Sequence, residues 1–317
     1  MGHYILRRLI LTIPILFIAS LLIFAGVRVI PGDVCQIVLQ IPEPAPEQCA
    51  LLKEEIGLDQ PAIVQYFNWA GGALTGDLGN SVSVRKGQPV SDQIIERMNT
   101  TLELAVLTIF FSFAVGVPIG VYSALKQNRL SDILLRGVAI GWLSMPSFWI
   151  GTLLITFPAK WWGYSAPVGY VHFWEDPLKN LEQLYLPALA LGLALAAILA
   201  RFTRSAMLEE MRQDYVRTAR SKGLTERAVV SRHALRNAMM QVITHLGLQL
   251  AFFFGGTVVL EQLFSLPGLG TLLYQSVIQK DLTMVQGLVL TFTVIITLVN
   301  LMIDLSYAWL DPRVRFT

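Results

Sequence analysis

Hydrophobic and polar positions alternate along this chain on a long scale, with apolar runs of twenty or more residues parted by polar segments. A helix needs about 20 mostly apolar residues to cross a hydrocarbon core roughly 30 Å thick. Six runs reach that length, at about 9–29, 100–123, 137–157, 185–203, 239–260 and 285–308. The first follows Arg7 and Arg8 as a signal peptide would. It is about twice as long as an ordinary apolar signal region and no small-residue cleavage site precedes Pro31, so it reads as an uncleaved anchor. The pattern predicts an all-α integral membrane protein with six transmembrane helices. An extended outer segment follows the first helix, and a long inner loop joins the fourth to the fifth.

Composition supports this reading. The chain is 54% hydrophobic and 15% charged, where soluble domains carry about 25% charged residues. Its mean hydropathy is +0.56. The net charge of +2 matters less than where the charges fall. Six spans put both termini on one side. With that side cytoplasmic, the inner segments 1–8, 124–136, 201–238 and 309–317 hold 16 of the 24 Lys and Arg residues. The positive-inside bias therefore sets the orientation, with both termini cytoplasmic. The predicted organisation is a tail and first helix over 1–29, an outer segment over 30–99, a five-helix core over 100–308 and a cytoplasmic tail over 309–317.

The outer segment contains the proline-rich stretch IPEPAP and, further on, a short amphipathic helix. In that helix Ile63, Phe67 and Ala70 share a side flanked by Tyr66 and Trp69, as in an interfacial helix or a subdomain packed on the spans. Cys35 and Cys49 lie together on the oxidising side, in a loop holding three prolines, so a disulfide is expected. Closing that loop stabilises the segment by about 3 kcal/mol in the chain-entropy account.

Small residues mark where membrane helices approach closely. The fourth span carries Ala188, Gly192, Ala196 and Ala200 in one ridge, and the second carries Gly116 and Gly120 around Pro118. The third holds Gly141, Ser144, Pro146 and Ser147. In the fifth, Gln241, His245 and Gln249 recur every four residues as one polar stripe. It serves either interhelical hydrogen bonding or a polar translocation path. Glu103, Glu261 and Asp304 lie near span ends, not at the midplane where secondary transporters often keep their acids.

No catalytic constellation, metal cluster or nucleotide-binding motif emerges. The G-x-x-x-x-G-K-[ST] pattern is absent, the four histidines are scattered, and GLGTLL at 268–273 only grazes a glycine-rich loop. Work against a gradient would therefore draw its energy from a partner.

The inner loop holds the most informative stretch, DYVRTARSKGLTERAVVSRHALRNA at 214–238, with six basic residues, two acids and one histidine. Topology accounts for its charge but not its length. It reads as two short amphipathic helices separated at Gly223, with Thr225 capping the second and Val229, Val230 and Leu235 among its basic residues. The stretch resembles the conserved cytoplasmic loop of binding-protein-dependent ABC importer permeases. The general pattern is Glu-Ala-Ala, three residues, Gly, then a later Leu-Pro. Those positions read Arg217, Thr218, Ala219, Gly223, Leu235 and Arg236 here. The departures at Arg217, Thr218 and Arg236 look like the version used by the dipeptide/oligopeptide branch. GLDQP, GDLGNS, TLELA, MPSFWIG, GGTVVLEQLFSLPGLG and DLSYAWLDPRVR also resemble that branch's B-type subunit.

The resemblance implies an ATPase-coupling element within 204–238, with Asp214, Tyr215, Arg217, Thr218, Ala219, Arg220, Gly223, His233, Leu235, Arg236 and Asn237 as its residues. It makes Glu261, Pro267, Gly268 and Gly270 candidates for an outer gate. It also implies a second homologous permease, two cytosolic ABC ATPase domains that bind ATP and Mg, and an extracytoplasmic substrate-binding protein. Small peptides are the expected substrate, with nickel chelates, glutathione or oligosaccharides as alternatives. No cofactor in this chain and no nucleic-acid partner are expected. A stand-alone secondary transporter or channel is the competing class, and a bound ATPase separates the two.

Overall fold

In hydrocarbon a chain must satisfy its own backbone N–H and C=O groups, and long apolar runs do so as helices. The structure, a computed structural model, describes residues 2–29, 34–39, 41, 44–55, 57–164, 167 and 169–310. Its helices are α1 (Gly2–Val29), α2 (Val34–Leu39), α3 (Pro46–Glu55), α4 (Ala62–Thr75), α5 (Val90–Leu125), α6 (Leu130–Leu143) and α7 (Ser147–Trp162). There follow α8 (Pro177–Glu210), α9 (Asp214–Ser221), α10 (Glu226–Ala228), a π-helical turn (Val229–Ala234), α11 (Leu235–Leu263), α12 (Leu269–Ile278) and α13 (Leu282–Leu310). Among the described residues the one β-feature is an isolated bridge between Asn80 and Pro89.

Among the described residues, four stretches are long and apolar enough to cross a membrane: Leu6–Val29, α5, α8 and Leu282–Ile303. The third predicted run is not one helix. It breaks into α6 and α7, bent by 97° to each other. The physical cause is Pro146, which lacks an N–H, disfavours helix at Met145, and itself sits at ψ 140°. The fifth run lies within α11, which is 29 residues long.

Helices also overrun the apolar runs that predicted them. α5 starts ten residues early, at Val90, inside the predicted outer segment, because polar residues such as Gln93 and Glu96 interrupt hydropathy without interrupting helix. α8 starts at Pro177, where the Asp176 carboxylate accepts from the Lys179 N–H at 3.1 Å, and runs on to Glu210. The connection from α8 to α11 is accordingly shorter than predicted.

The chain forms two compact units, residues 1–99 with 267–298, and residues 100–266 with 299–317. In the first, α4 packs on α1 through Tyr66, whose hydroxyl lies 2.8 Å from Ser20 Oγ and whose ring meets Phe24 edge-on at 5.3 Å. Ile63 and Phe67 stay exposed, so the flanking aromatic residues do the packing and the predicted apolar side faces away. Cys35 and Cys49 are joined in a disulfide with Cα atoms 5.4 Å apart, and Cys35 is fully buried. Cys35→Ser is expected to lower the stability of this segment by about 3 kcal/mol. Alkylation followed by intact-mass measurement checks the bond: both thiols should react only after reduction.

Asp281, also fully buried, ties this unit together. Its carboxylate accepts from Ser81 Oγ at 2.6 Å and from the backbone N–H groups of Ser83, Val84 and Met284 at 2.9, 3.0 and 3.1 Å. One side chain thus caps α13 and holds the 81–84 turn.

In the second unit the small-residue ridges meet. A Cβ at Gly116 would lie 2.7 Å from the Ala196 carbonyl, and one at Gly120 would lie 2.5 Å from Thr203 Cβ and 2.6 Å from the Ala200 carbonyl. α5 and α8 therefore touch backbone to backbone. Ala206, Met207, Val230, Ala234, Ala238 and Val242 continue that core toward the 211–238 stretch.

Candidate functional site

The 211–238 stretch folds into a small module. α9 ends at Ser221 with Lys222 as its C-cap, and Gly223 takes φ +78°, the left-handed conformation that glycine adopts without penalty. The chain then reverses into α10. Thr225 occupies the N-cap position with extended backbone, but its side chain makes no capping hydrogen bond, contrary to expectation. The interior of the module is apolar: Val216, Ala219 and Val229 are buried, with Met211 packed against them. Ala219 is thus filled around by this chain itself.

Polar contacts fix the module's edges. The Arg220 guanidinium forks onto Glu226 at 2.7 and 3.1 Å across the turn. Hydrogen bonding to Arg220 holds the Glu226 carboxyl below its usual range, and Arg220 is raised in return. The Glu226 contribution is present above the ordinary carboxylate pKa and fades as pH falls through the depressed one. Both side chains are about half exposed, so solvent screening keeps it to about 1 kcal/mol or less. Tyr215 donates to Glu210 and accepts from Asn237 Nδ2 at 2.9 Å, tying α9 to the end of α8 and the start of α11. Burial, then the hydrogen bond to Glu210, raise its hydroxyl pKa.

The remaining predicted residues fall on the module's surface. Asp214 and Arg217 are solvent-facing at 4.0 Å from each other, and Thr218 and Arg236 are exposed. His233 and Leu235 are half-buried in and beside the π-helical turn. Leu224, 43% exposed, stands at the tip beside Lys222 and Gly223.

The polar stripe of α11 is partly satisfied within the chain. His245 Nε2 lies 3.1 Å from Gln249 Nε2, and its ring stacks on Phe202 of α8, while Gln241 is exposed. If the stripe lines a wet path, single cysteines at 241, 245 and 249 should react with small water-soluble thiol reagents in at least one transport state. Inertness at all three in every state assigns the stripe to packing.

The candidate gate residues differ in setting. Glu261 is fully buried and accepts from Thr101 Oγ1 at 2.7 Å. Pro267 is exposed, and Gly268 is the extended N-cap residue of α12. Gly270 lies inside α12 and is buried, so it is a helix residue and not part of a glycine-rich loop. Asp304 lies in α13, its side chain outside the described residues.

Two constellations escaped the sequence reading. Glu103 accepts from Tyr170 Oη and from Asn180 Nδ2, and Asn180 and Gln183 bond the backbone of Val171 and Gly169. Burial, then the Glu103 bond, raise the Tyr170 hydroxyl. A cavity of about 380 Å³ lies beside this strap, lined by Tyr164, Tyr170, Gln183, Leu263 and Ser265 among others. The second is Asp132, fully buried, which accepts from Arg204 Nε and Nη2 at 2.9 Å each, from Asn128 N–H at 3.0 Å and from Ser123 Oγ. Arg136 Nε lies 3.4 Å away. The i, i+4 spacing of Asp132 and Arg136 was readable, but the dominant partner, 72 residues on, was not.

The described residues thus form a helical bundle with several apolar helices long enough to cross a membrane, and a packed module joins α8 to α11. Residues 116–316 match the binding-protein-dependent transport system inner membrane component family, and residues 1–105 match its N-terminal membrane component. The chain belongs to this family and is a multi-pass inner-membrane protein. Among its relatives, a protein of Brucella abortus (strain 2308), provisionally named a peptide transport system permease protein, is 40% identical over 316 residues, covering all of both chains. The glutathione transport system permease protein of Escherichia coli (strain K12) is 38% identical over 316 residues, again covering all of both. A chain of the methionine ABC transporter MetNI, solved in inward-facing conformations, shares the fold with a TM-score of 0.55 at 18% identity, over 69% of this chain and 96% of that one.

Proposed function

We propose that this chain forms half of the translocation path of an ATP-driven importer of small peptides, and that the 211–238 module couples it to ATP hydrolysis. The observation that carries the reading is the module's construction: a private apolar core beneath an exposed tip at Lys222, Gly223 and Leu224. Such a unit moves as one body and transmits force to α8 and α11, which it joins. A second homologous permease completes the path, two cytosolic ABC ATPase domains seat the modules, and an extracytoplasmic binding protein delivers substrate. The chain crosses the membrane six times with both termini cytoplasmic, the α6–α7 pair making one crossing. ATP and Mg belong to the ATPase partners.

Peptides are favoured because the relatives at 40% and 38% identity are named for peptide and glutathione transport, and glutathione is itself a tripeptide-like solute. Uptake of labelled dipeptides, oligopeptides and glutathione, each competed by the others, discriminates among them.

Gly223→Val tests the coupling role. A Cβ there meets nothing within 4 Å, so the substitution acts only by forcing a β-branched residue to φ +78°. That conformation costs about 1–3 kcal/mol, enough to rearrange the tip while leaving every span intact. Transport should fall to background with normal membrane insertion, through lost ATPase docking or uncoupled hydrolysis. Ala219→Glu should fail similarly, by unpacking the module's core from within. Arg129→Ala, on another inner turn, is the control. Wild-type transport by Gly223→Val in an assembled complex would show that the module is not the coupling element.

A further inference from the structure

We infer that the arginine-lined pocket between α5, α6 and α8 binds the headgroup phosphate of an anionic phospholipid, with an acyl chain lying along α6. The pocket holds about 170 Å³. Its polar end is formed by Arg136 of α6 and Arg201 and Arg204 of α8, and its apolar end by Ile119, Leu143 and Ala197. Along α6 the lining runs from Arg136 to Leu143, and along α8 from Arg204 back to Ala197. Seven residues of helix on each wall span about 10 Å. Both walls therefore change from charged to apolar in the same direction, from helix end toward membrane middle, which is the order of headgroup and chain in a phospholipid.

The charge is unbalanced. Three guanidinium groups line the pocket, and Arg204 commits Nε and Nη2 to the neighbouring carboxylate of Asp132. Arg136 touches Asp132 only at 3.4 Å and is 47% exposed. Arg201 is exposed and has no carboxylate partner among the described residues. Two guanidiniums thus remain to fork onto phosphate oxygens, a geometry that arginine matches in two parallel hydrogen bonds. Basic pockets between membrane helices at the positive-inside surface suit anionic headgroups. Beside the pocket, Ile133, Leu134, Val138 and Ile140 of α6 are exposed and continue its apolar wall outward, as a lipid-facing surface does. An acidic segment of a partner protein would match the charged end but would leave the apolar end unfilled.

The inference depends on the chain lying in a bilayer and not on which solute it carries. Native mass spectrometry of the full chain in detergent, titrated with dioleoylphosphatidylglycerol or dioleoylphosphatidylcholine, tests it. One phosphatidylglycerol should bind about tenfold or more tightly than phosphatidylcholine. Arg136→Ala/Arg201→Ala should remove that preference, and Arg136→Lys/Arg201→Lys, which keeps the charge without the fork, should retain part of it. Lys126→Ala/Arg129→Ala removes two positive charges from the neighbouring turn and should leave the preference unchanged. If the alanine pair does not fold, the two-lipid comparison on the unaltered chain still decides. Equal binding of both lipids, or undiminished preference in the alanine pair, overturns the proposal. Complete displacement of phosphatidylglycerol by millimolar inorganic phosphate overturns it too, since the site would then take a free anion.

Discussion

Asp132→Ala should lower the stability of the chain by about 3–5 kcal/mol, the range seen when one partner of a buried ion pair is removed. Asp132 is fully buried and is the common acceptor for Arg204 of α8, Ser123 of α5 and the backbone of the turn between α5 and α6. Its loss frees the adjoining ends of three helices and strands a guanidinium whose side chain is only 17% exposed. The penalty lies in that stranded charge more than in the bond. Asp132→Leu/Arg204→Leu, which replaces both charges, should therefore be markedly more stable than Asp132→Ala. Thermal unfolding in detergent reads the difference. A double variant no better than the single one would place the energy in the Ser123 and Asn128 contacts instead.

Gly120→Leu should prevent the α5–α8 pair from closing. Even a methyl group there sits 2.5 Å from Thr203 Cβ and 2.6 Å from the Ala200 carbonyl, and the latter is backbone that no rotamer change can move. Overpacking a tight core costs about 1–3 kcal/mol per site, and a leucine at a backbone contact belongs at or above the top of that range. The expected result is loss of purifiable monodisperse protein, with Gly120→Ala intermediate. Gly137→Leu is the control, because a Cβ there meets nothing within 4 Å. Wild-type thermal stability in Gly120→Leu would mean that α5 and α8 do not approach this closely.

These two sites show unequal legibility. The small-residue ridges, Gly116 and Gly120 on one run and Ala196 and Ala200 on another, stood out at i, i+4 spacing, and they do face each other. The inner module was likewise readable, since Gly223 between two amphipathic stretches announces a reversal, and its φ is +78°. Ala219, one residue of that stretch, lies buried with Val216 and Val229 of its own module. Sequence spacing identifies an apolar face but not what covers it. The third apolar run was expected as one helix, and the bend at Pro146 divides it, because hydropathy averages over a break that one missing N–H creates.

Local chemistry was enough to read the helices, where backbone must bond to itself in lipid, their close-packing ridges, the sites where glycine or proline turns the chain, and two cysteines within reach of each other. Pairing across distance, by contrast, emerges only once the helices have packed. Asp132 finds Arg204 from 72 residues away, Asp281 gathers the 81–84 turn from about 200, and Glu103 holds the strap at Tyr170. Asp132 and Asp281 are fully buried and Glu103 is half-buried, and each carboxylate must find donors wherever the fold brings them, because an unpaired charge away from water costs more than any local preference supplies. The same holds for the pocket of Arg136, Arg201 and Arg204, whose charges lie on two helices and share one end of a cavity only after those helices have packed.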